Sequence, residues 1–435
     1  MSILKYGLVV AGVVGVIAGV PYITKSSIDN NLMQKQIELK QNGVSLDVVK
    51  NEGYFEINRD LYIKVNDEKK LLNYIFRNSN LDENLLNEIT INGEIFKELS
   101  LKGIVTNDNI ISQSFKVALT FDKLPTSLKN SNNIELKKLI ENFKLNMDIS
   151  KNGKVSSLFF NDISLKDSNK VVKVINPKMV LDKDRYKTTI SNVTFNIDNL
   201  TQSLTSTFDK IEIKNKHKDN FNNESEIKID NIDINYKEQV YYSSKNISYK
   251  SKKNSINSKV FEKNKNINWF FNLNTSNMNV EVDAIKVKLD NFSLDAKLNN
   301  LKGEAIKDLD LVYENKQRLD DILDLKMQEV LNYGFSIDLK SNLNYLKSTM
   351  GIIKTLNLDF DIRVSKNNLS TIDEVSKYLF INGELILDND TIASIGMLGV
   401  PIHMYNTNID VNKNTSKFNI KYLNNELIVN GKKVK

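Results

Sequence analysis

The stretch IKIDNIDI, from Ile227 to Ile234, decides the fold class of this chain. Its four isoleucines are interleaved with charged and amide residues. Alternation of apolar and polar residues places one row of side chains on each face of a β-strand. The same alternation of apolar and polar residues occurs in Val280–Val282 and in Ile285–Leu289. These segments predict strands of a sheet that has one apolar and one wet face.

Outward from this stretch, alternation continues over most of the chain. Asn-Gly dipeptides punctuate it at Asn152-Gly153 and at Asn430-Gly431, and both residue types tolerate the positive φ of type I′ hairpin turns. The pattern predicts an antiparallel meander. Its further strands are Phe55–Val65, Phe115–Phe121, Leu145–Ile149 and Val193–Ile197.

Beyond residue 43, helical spacing of apolar residues occurs in four places, namely Leu81–Ile89, Ile134–Phe143, Leu309–Leu331 and Ile372–Leu379. The third segment has a single apolar face, and Gly334 follows it in the position of a helix cap. We expect this face to pack against a sheet rather than against a partner. The fold class is therefore mainly β with a few helices (α+β).

An uncharged run from Tyr6 to Ile23 opens the chain. As a helix it would span about 27 Å, close to the thickness of a bilayer hydrocarbon core. A cleaved secretory signal is the alternative, because Lys5 supplies a basic start and Val16-Ile17-Ala18 resembles a weak cleavage site. The run is long for a signal, which favours an uncleaved anchor. Helical spacing then continues through Ser27–Gln41 as a stalk.

Four regions are predicted along the chain. They are a transmembrane anchor over residues 1–25, a helical stalk over 26–43, an antiparallel β-rich region over 44–308, and an amphipathic helix with a C-terminal β region over 309–435. A large domain behind a short N-terminal tail is commonly translocated, so we expect the bulk of the chain outside the cytoplasm.

Composition narrows the classes of partner. The 60 basic and 54 acidic residues are spread along the whole chain and give a net charge of +6, unlike the concentrated basic stripe of a nucleic-acid-binding protein. Nucleic acid is therefore not an expected partner. The chain has no cysteine, which excludes disulfides and thiolate sites.

Candidate catalytic groups are few. His217 lies in a lysine-rich run that predicts an exposed turn, and His403 has no second histidine nearby to complete a zinc site. Asp359 and Asp361 would share one face of a strand, where surface positions are the simpler interpretation. The clusters Tyr241-Tyr242 and Trp269-Phe270-Phe271 indicate core packing or a sheet-face contact. With no nucleophile, metal or nucleotide motif present, we predict a protein that is not an enzyme and needs no cofactor or metal.

Both ends of the chain resemble the YdgA-like family of bacterial proteins, which have an N-terminal inner-membrane anchor and no known function. The front carries Pro21-Tyr22, Gly43-Val44 and Asn51-Glu52-Gly53-Tyr54-Phe55, and the back carries the segment from Asn424 to Lys432. Glu52 departs from the Arg that usually precedes this glycine. The resemblance implies a single-pass protein of the inner membrane with an elongated β-rich part in the periplasm, and it implies no catalytic residue.

Three hypotheses about function follow from the sequence. The first is a non-enzymatic protein of the cell envelope, anchored through Tyr6–Ile23, that binds lipid or an envelope partner on an extended amphipathic sheet. The second is a structural or surface module that pairs its strands with another chain. The third, an envelope hydrolase, would use Asp359, Asp361 or His403.

Overall fold

The computed structural model describes residues 36–52, 57–77, 98–107, 115–123, 143–149, 155–167, 169–182, 185–219, 221–240, 243–315, 319–348, 351–368, 372–397, 401–405 and 408–434. Most of these residues lie in antiparallel strands and few lie in helices, which confirms the mainly β prediction. The chain forms two compact units, Met1–Asp198 and Asn199–Lys435. The border predicted at residue 309 falls inside a helix of the second unit.

Several predicted segments lie outside the described residues. They are the anchor, residues 26–35 of the stalk, the helix Leu81–Ile89, residues 134–142 of the next helix, and the turn at Asn152-Gly153. None of the helices in the described ranges is both long and apolar enough to cross a membrane. The anchor therefore stays a prediction.

The first unit is an antiparallel sheet whose strands follow the order β1-β2-β3-β4-β5-β6-β9-β10-β8-β7. Its predicted strands are confirmed within the described residues. The strand bounds are β1 Val44–Glu52, β2 Ile57–Val65, β3 Ser100–Asn107, β4 Phe115–Lys123, β5 Lys144–Ile149, β6 Val155–Phe160, β7 Ile163–Asp167, β8 Lys170–Ile175, β9 Lys178–Asp182 and β10 Arg185–Asp198.

A closed hydrophobic core lies in this first unit. One side of β1 to β6 supplies it, together with Leu39 from the helical residues 36–41 and Leu71 from helix α1 (Glu68–Arg77). Asp67 caps α1 by accepting a hydrogen bond from the Lys70 N–H at 3.1 Å. The most buried residues of this hydrophobic core include Val44, Val105, Phe115, Leu119, Leu145 and Ile149.

The second unit is a meander of much longer strands, in the order β11-β12-β13-β14-β15-β16-β18-β19-β21-β22-β23. Short strands β17 and β20 pair with β16 and β21. The bounds are β11 Gln202–Asp219, β12 Asn222–Val240, β13 Ser243–Lys263, β14 Asn266–Val282, β15 Ile285–Lys302, β16 Phe335–Ser348, β17 Gly351–Ile353, β18 Leu356–Val364, β19 Leu379–Asp388, β20 Asn408–Asp410, β21 Thr415–Leu423, β22 Glu426–Val429 and β23 Lys432–Lys433.

Helices of the second unit differ in part from the prediction. The segment Leu309–Leu331 is divided between α2 (Gly303–Asn315) and α3 (Leu319–Tyr333). Residues 372–379 do not form an α-helix: Ile372–Tyr378 is a 3₁₀-helix and Leu379 already begins β19. Leu379 belongs to β19 because this residue pairs with Val364 of β18. Helix α4 (Asn389–Met397) and a second 3₁₀-helix (Pro401–Tyr405) complete the unit.

Gly334 ends α3 as predicted. Its φ is +85°, its N–H donates to the Leu331 carbonyl at 3.2 Å, and an added Cβ would lie 2.7 Å from the Val364 carbonyl oxygen. Both the left-handed backbone and the close approach of β18 favour glycine here.

Two-residue turns with positive φ join consecutive strands, as type I′ geometry requires. Asn430-Gly431 was predicted from its sequence, and its φ values of +47° and +79° confirm the turn. Asn264-Lys265 and Asn424-Asn425 adopt the same combination without glycine. Their right-handed twist matches the flanking strands, which holds the hairpins in register.

The pleating of the long sheet is interrupted along one line that runs across its strands. On β11, β13 and β15 this line passes through Lys210, Lys253 and Asn291, and each of these residues has a φ near +50°. We call this line the pleat break. Side chains replace backbone pairing there: Asn254 Nδ2 donates to the Ile229 carbonyl at 3.3 Å, and Ser276 Oγ donates to the Lys252 carbonyl at 3.0 Å. The apolar spacing of Ile227–Ile234 steps from Ile229 to Ile232 at the pleat break.

Candidate functional site: the apolar face of the long sheet

On the side of the pleat break that holds Ile227, cross-strand register brings residues of many strands together into one continuous, mostly apolar surface. Directly opposed residues on nine neighbouring strands form its central row. That row is Ile213, Ile227, Ile256, Leu273, Leu294, Ser341, Leu358, Leu385 and Phe418. With strands about 4.8 Å apart, the row is about 38 Å long.

Three parallel rows extend this surface along the strands. None of their members is aspartate, glutamate, lysine or arginine. They are Thr275, Phe292, Leu343, Leu356, Leu387 and Ser416; Asn215, Ser225, Ser258, Phe271, Ala296, Leu339, Phe360, Gly383 and Ile420; and His217, Asn223, Val260, Trp269, Leu298, Ile337, Ile362, Ile381 and Tyr422. We call the four rows together the apolar face.

The opposite face of the same strands is charged and internally paired. Lys214 lies 2.9 Å from Glu226, and Lys340 lies 2.8 Å from Asp359. Hydrogen bonds from Lys228 and Lys214 outweigh desolvation and lower the pKa of Glu226. Opposite charges directly across a strand pair stabilise the sheet, and their charged groups are well solvated by water.

Helices lie against several strands of the second unit. Helix α2 contacts β14 and β15, α3 contacts β15, and α4 contacts β17 and β19. The α4 side is closed, because Leu387, Ile392 and Phe418 form a buried cluster. Toward the other side, the side chain of Ile256 stays 40% exposed and that of Trp269 stays 44% exposed. This part of the face, on β13 and β14, is the accessible candidate site.

Trp269 is held in place on this surface. Its indole Nε1–H donates to Ser258 Oγ at 2.9 Å, and its ring centroid lies 6.2 Å from that of Phe271. The predicted aromatic cluster therefore divides between the two faces: Trp269 and Phe271 lie on the apolar face, whereas Phe270 points to the polar face opposite Lys259. Trp269 is the single tryptophan of the chain, which makes it a selective reporter of this site.

Gly383 lets the apolar face stay continuous at β18 and β19. An added Cβ would lie 2.3 Å from Phe360 Cδ1 and 2.7 Å from the Asp359 carbonyl oxygen. The Phe360 ring therefore covers the glycine opposite it and fills the gap in the row.

Asp359 and Asp361 lie on the polar face, in agreement with the surface interpretation of their sequence pattern. Asp359 pairs with Lys340 and raises the pKa of that lysine through a hydrogen bond. Asp361 accepts hydrogen bonds from both Nε and Nη2 of Arg363, which raise the pKa of the guanidinium. Each carboxylate already has a cationic partner.

Both aspartates line a polar depression of about 880 Å³ with Asn382, Glu384 and Lys421. Glu384 is paired with Lys417. The described residues that line the depression include no serine, threonine, tyrosine or histidine to serve as nucleophile or base. Across the described part of the chain, no cluster of three acidic or histidine side chains is suited to a metal ion.

His217 is not among the described residues that line this depression. His217 is exposed, as expected, but it lies on β11 opposite Asn223 rather than in the turn, which follows two residues later. Asp219 holds that turn by accepting a hydrogen bond from the Phe221 N–H at 3.0 Å. His403 lies in the 3₁₀-helix Pro401–Tyr405, and its side chain is outside the described residues.

The sequence analysis anticipated an amphipathic sheet and offered a sheet-face contact for the cluster Trp269-Phe270-Phe271, but it did not single out Ile256. Ile256 and Trp269 are 13 positions apart in the sequence, and only the β13–β14 register brings them to one surface. Neither the alternation nor the spacing of apolar residues indicates which residues of two paired strands lie opposite each other.

No protein-family model, no curated protein and no solved structure matches this chain. The resemblance to the YdgA-like family therefore stays a prediction.

Proposed function

We propose that this chain is a non-enzymatic, membrane-anchored protein of the cell envelope that holds lipid acyl chains against the apolar face. The observation that carries the proposal is the central row of the face, a line over nine strands in which every side chain but Ser341 is apolar and none is charged. The predicted anchor at Tyr6–Ile23 would keep this surface beside its source of lipid.

Energetics support a lipid as the occupant. Ile256 and Trp269 expose large apolar side chains next to half-buried Ile227, Leu273 and Phe271. Covering such a surface with an acyl chain contributes about 0.8 kcal/mol for each methylene group removed from water. Ten methylenes in contact would thus contribute about 8 kcal/mol before the costs of ordering the chain.

Photocrosslinking of the full chain in living cells tests the proposal. Cells are grown with a photoactivatable fatty acid, illuminated, and the protein is digested so that the lipid-bearing peptides can be located by mass spectrometry. We expect crosslinks on peptides from β13 to β15. Crosslinks confined to peptides from the first 35 residues would refute lipid binding by the sheet.

A matched pair of substitutions sharpens this test. Ile256→Asp places a charge on the exposed part of the apolar face and is expected to reduce crosslinking to β13–β15 at least tenfold. Ser255→Asp places the same charge on the polar face of β13, opposite Lys228, and should leave crosslinking unchanged. Circular dichroism of both variants checks that the sheet is intact.

Strand pairing with another chain, the alternative function, finds less support at the C-terminal end of the sheet. There the meander finishes with β23, which is only Lys432–Lys433. Short edge strands that carry lysine resist the addition of further strands. The hydrolase alternative finds less support, because Asp359, Asp361 and Glu384, the carboxylates of the depression, are each paired with a cation.

A further inference from the structure

We propose that the polar face of the second unit binds neutral oligosaccharides in the depression lined by Asp359 and Asp361. This surface lies on the side of the sheet opposite the apolar face, so the inference goes beyond the lipid proposal and does not depend on it. Its support comes from unpaired hydrogen-bonding groups in the depression, from the pairing of its charges, and from an aromatic side chain beside it.

The depression continues into a second one. A polar depression of about 790 Å³ is lined in part by Asp361, which also lines the first depression of about 880 Å³. Each volume lies within the range of about 300–1,000 Å³ that is typical of small-molecule sites. We call the two depressions together the polar groove. Because they share a lining residue, a chain of several sugar rings can occupy both.

Two side chains of the polar groove are available to a ligand. Asn382 of β19 lies directly opposite Lys421 of β21, and both residues are exposed. Neither side chain forms a hydrogen bond or an ion pair with another described residue. The amide offers two N–H donors and an oxygen acceptor, and the ammonium offers three donors. These groups can exchange water for the hydroxyl groups of a ligand without breaking any bond of the fold.

Fixed acceptors lie beside these donors. Asp361 lies directly opposite Asn382 and accepts hydrogen bonds from Nε and Nη2 of Arg363. Asp359 accepts a hydrogen bond from Lys340 at 2.8 Å. A carboxylate has about four acceptor positions, so both aspartates keep positions for further donors. A sugar hydroxyl both donates and accepts, and it therefore needs the combination of acceptors and donors that the polar groove presents.

The charges of the first depression favour a neutral ligand. Its three carboxylates, on Asp359, Asp361 and Glu384, are each paired with a lysine or an arginine. A cation would have to compete with these partners, and an anion that bound Lys421 would also lie close to the carboxylates. A ligand without net charge avoids both costs.

An aromatic ring lines the second depression. Tyr333, at the end of α3, is 40% exposed. Tyrosine combines an apolar ring face with a polar tip. A pyranose ring has the matching combination, because its C–H groups form apolar patches between its hydroxyl groups. Tyr333 therefore favours a sugar ring over an ion or a linear polar chain.

Saturation-transfer NMR on the full chain in detergent micelles tests this inference. The probes are chitotetraose and cellotetraose, which are neutral, and tetragalacturonate, which is anionic. We expect at least one neutral probe to bind with a Kd below about 10 mM. Tetragalacturonate should bind about tenfold more weakly than that probe.

Two substitutions in the polar groove sharpen the test. Asn382→Leu removes the unpaired amide at similar volume, and Lys421→Met removes the unpaired ammonium from the next strand. Each is expected to weaken binding of the neutral probe about fivefold or more, because it removes hydrogen bonds to the ligand. Asn279→Leu is the matched control, since Asn279 is an exposed amide of β14 that lines neither depression. It should bind the probes like the wild type, and circular dichroism checks that all three variants are folded.

Three outcomes would overturn the inference. The first is a lack of binding by both neutral probes. The second is equal binding by the wild type and by the two groove variants, which would place the sugar elsewhere. The third is tighter binding of tetragalacturonate than of either neutral probe, which would make Lys421 part of an anion site. Lipid crosslinking to the apolar face is a separate measurement, so failure of one proposal leaves the other standing.

Discussion

Asp388 accepts a hydrogen bond from the Thr391 hydroxyl at 2.7 Å and another from the Thr391 N–H at 2.9 Å. The carboxylate also accepts from the N–H groups of Lys354 at 2.7 Å and Thr355 at 3.1 Å. Asp388 is 2% exposed and caps helix α4. One buried side chain thus ties the start of this helix to the segment before β18.

The charge of Asp388 should stabilise the fold in a pH-dependent way. Burial alone would raise the pKa of its carboxyl, but the hydrogen bonds from Thr391, Thr355 and Lys354 outweigh burial and lower it. A lowered folded-state pKa gives stability that is complete above the unfolded value, about 3.9, and is lost as pH falls through the folded value.

Asp388→Asn is therefore expected to reduce the free energy of unfolding by about 1–3 kcal/mol at pH 7. The difference from the wild type should narrow as the pH falls from about 4 through the lowered folded-state pKa, below which the wild-type carboxyl is neutral as well. Urea unfolding at a series of pH values measures both effects. Asp390→Asn, on an exposed side chain of the same helix, should change stability by less than about 0.5 kcal/mol.

Two buried serines of the second unit predict opposite effects of the same substitution. Ser251 is 2% exposed and its hydroxyl has no hydrogen-bond partner among the described residues, whereas Ser416 is 1% exposed and donates to Asn389 Oδ1. Ser251→Ala should be neutral or stabilising by up to about 1 kcal/mol, and Ser416→Ala should destabilise by about 1–3 kcal/mol. Chemical unfolding of the two variants side by side decides the matter, and equal losses would contradict the assignment.

Replacing a glycine of positive φ by alanine should destabilise the fold by an amount that depends on how closely other atoms approach that glycine. Gly334→Ala combines a strained backbone with a contact of 2.7 Å to the Val364 carbonyl, and a loss of about 2 kcal/mol or more is expected. Gly431→Ala has no atom within 4 Å of the new methyl and pays only for its φ, about 1 kcal/mol. Thermal unfolding provides the comparison, and a larger loss at Gly431 would run against this geometry.

The polar face should tolerate loss of its ion pairs. The side chains of Lys340 and Asp359 are 56% and 59% exposed, so their pair contributes little against screening and side-chain entropy. Asp359→Asn should change the free energy of unfolding by less than about 0.5 kcal/mol. A loss above 2 kcal/mol in urea unfolding would mean that this carboxylate has a structural or binding role beyond the solvated face.

Local patterns anticipated local structure. Alternation in Phe115–Phe121 and Leu145–Ile149 predicted strands because strand periodicity depends only on nearest neighbours along the chain. Asn430-Gly431 predicted its turn because both residues tolerate positive φ. Helical spacing predicted a helix over Ile372–Leu379, but the structure has a 3₁₀-helix over Ile372–Tyr378, and the pairing of Leu379 with Val364 places that residue in β19.

By itself, the sequence determined that this protein is built of amphipathic antiparallel strands joined by tight turns, because backbone sterics and side-chain periodicity act over a few residues. Only the tertiary structure decided which apolar residues lie side by side. Ile256 meets Leu273 because hairpin register aligns them, and Ile213 joins the same surface although 205 positions separate it from Phe418. Register depends on contacts between distant segments, which no local pattern encodes.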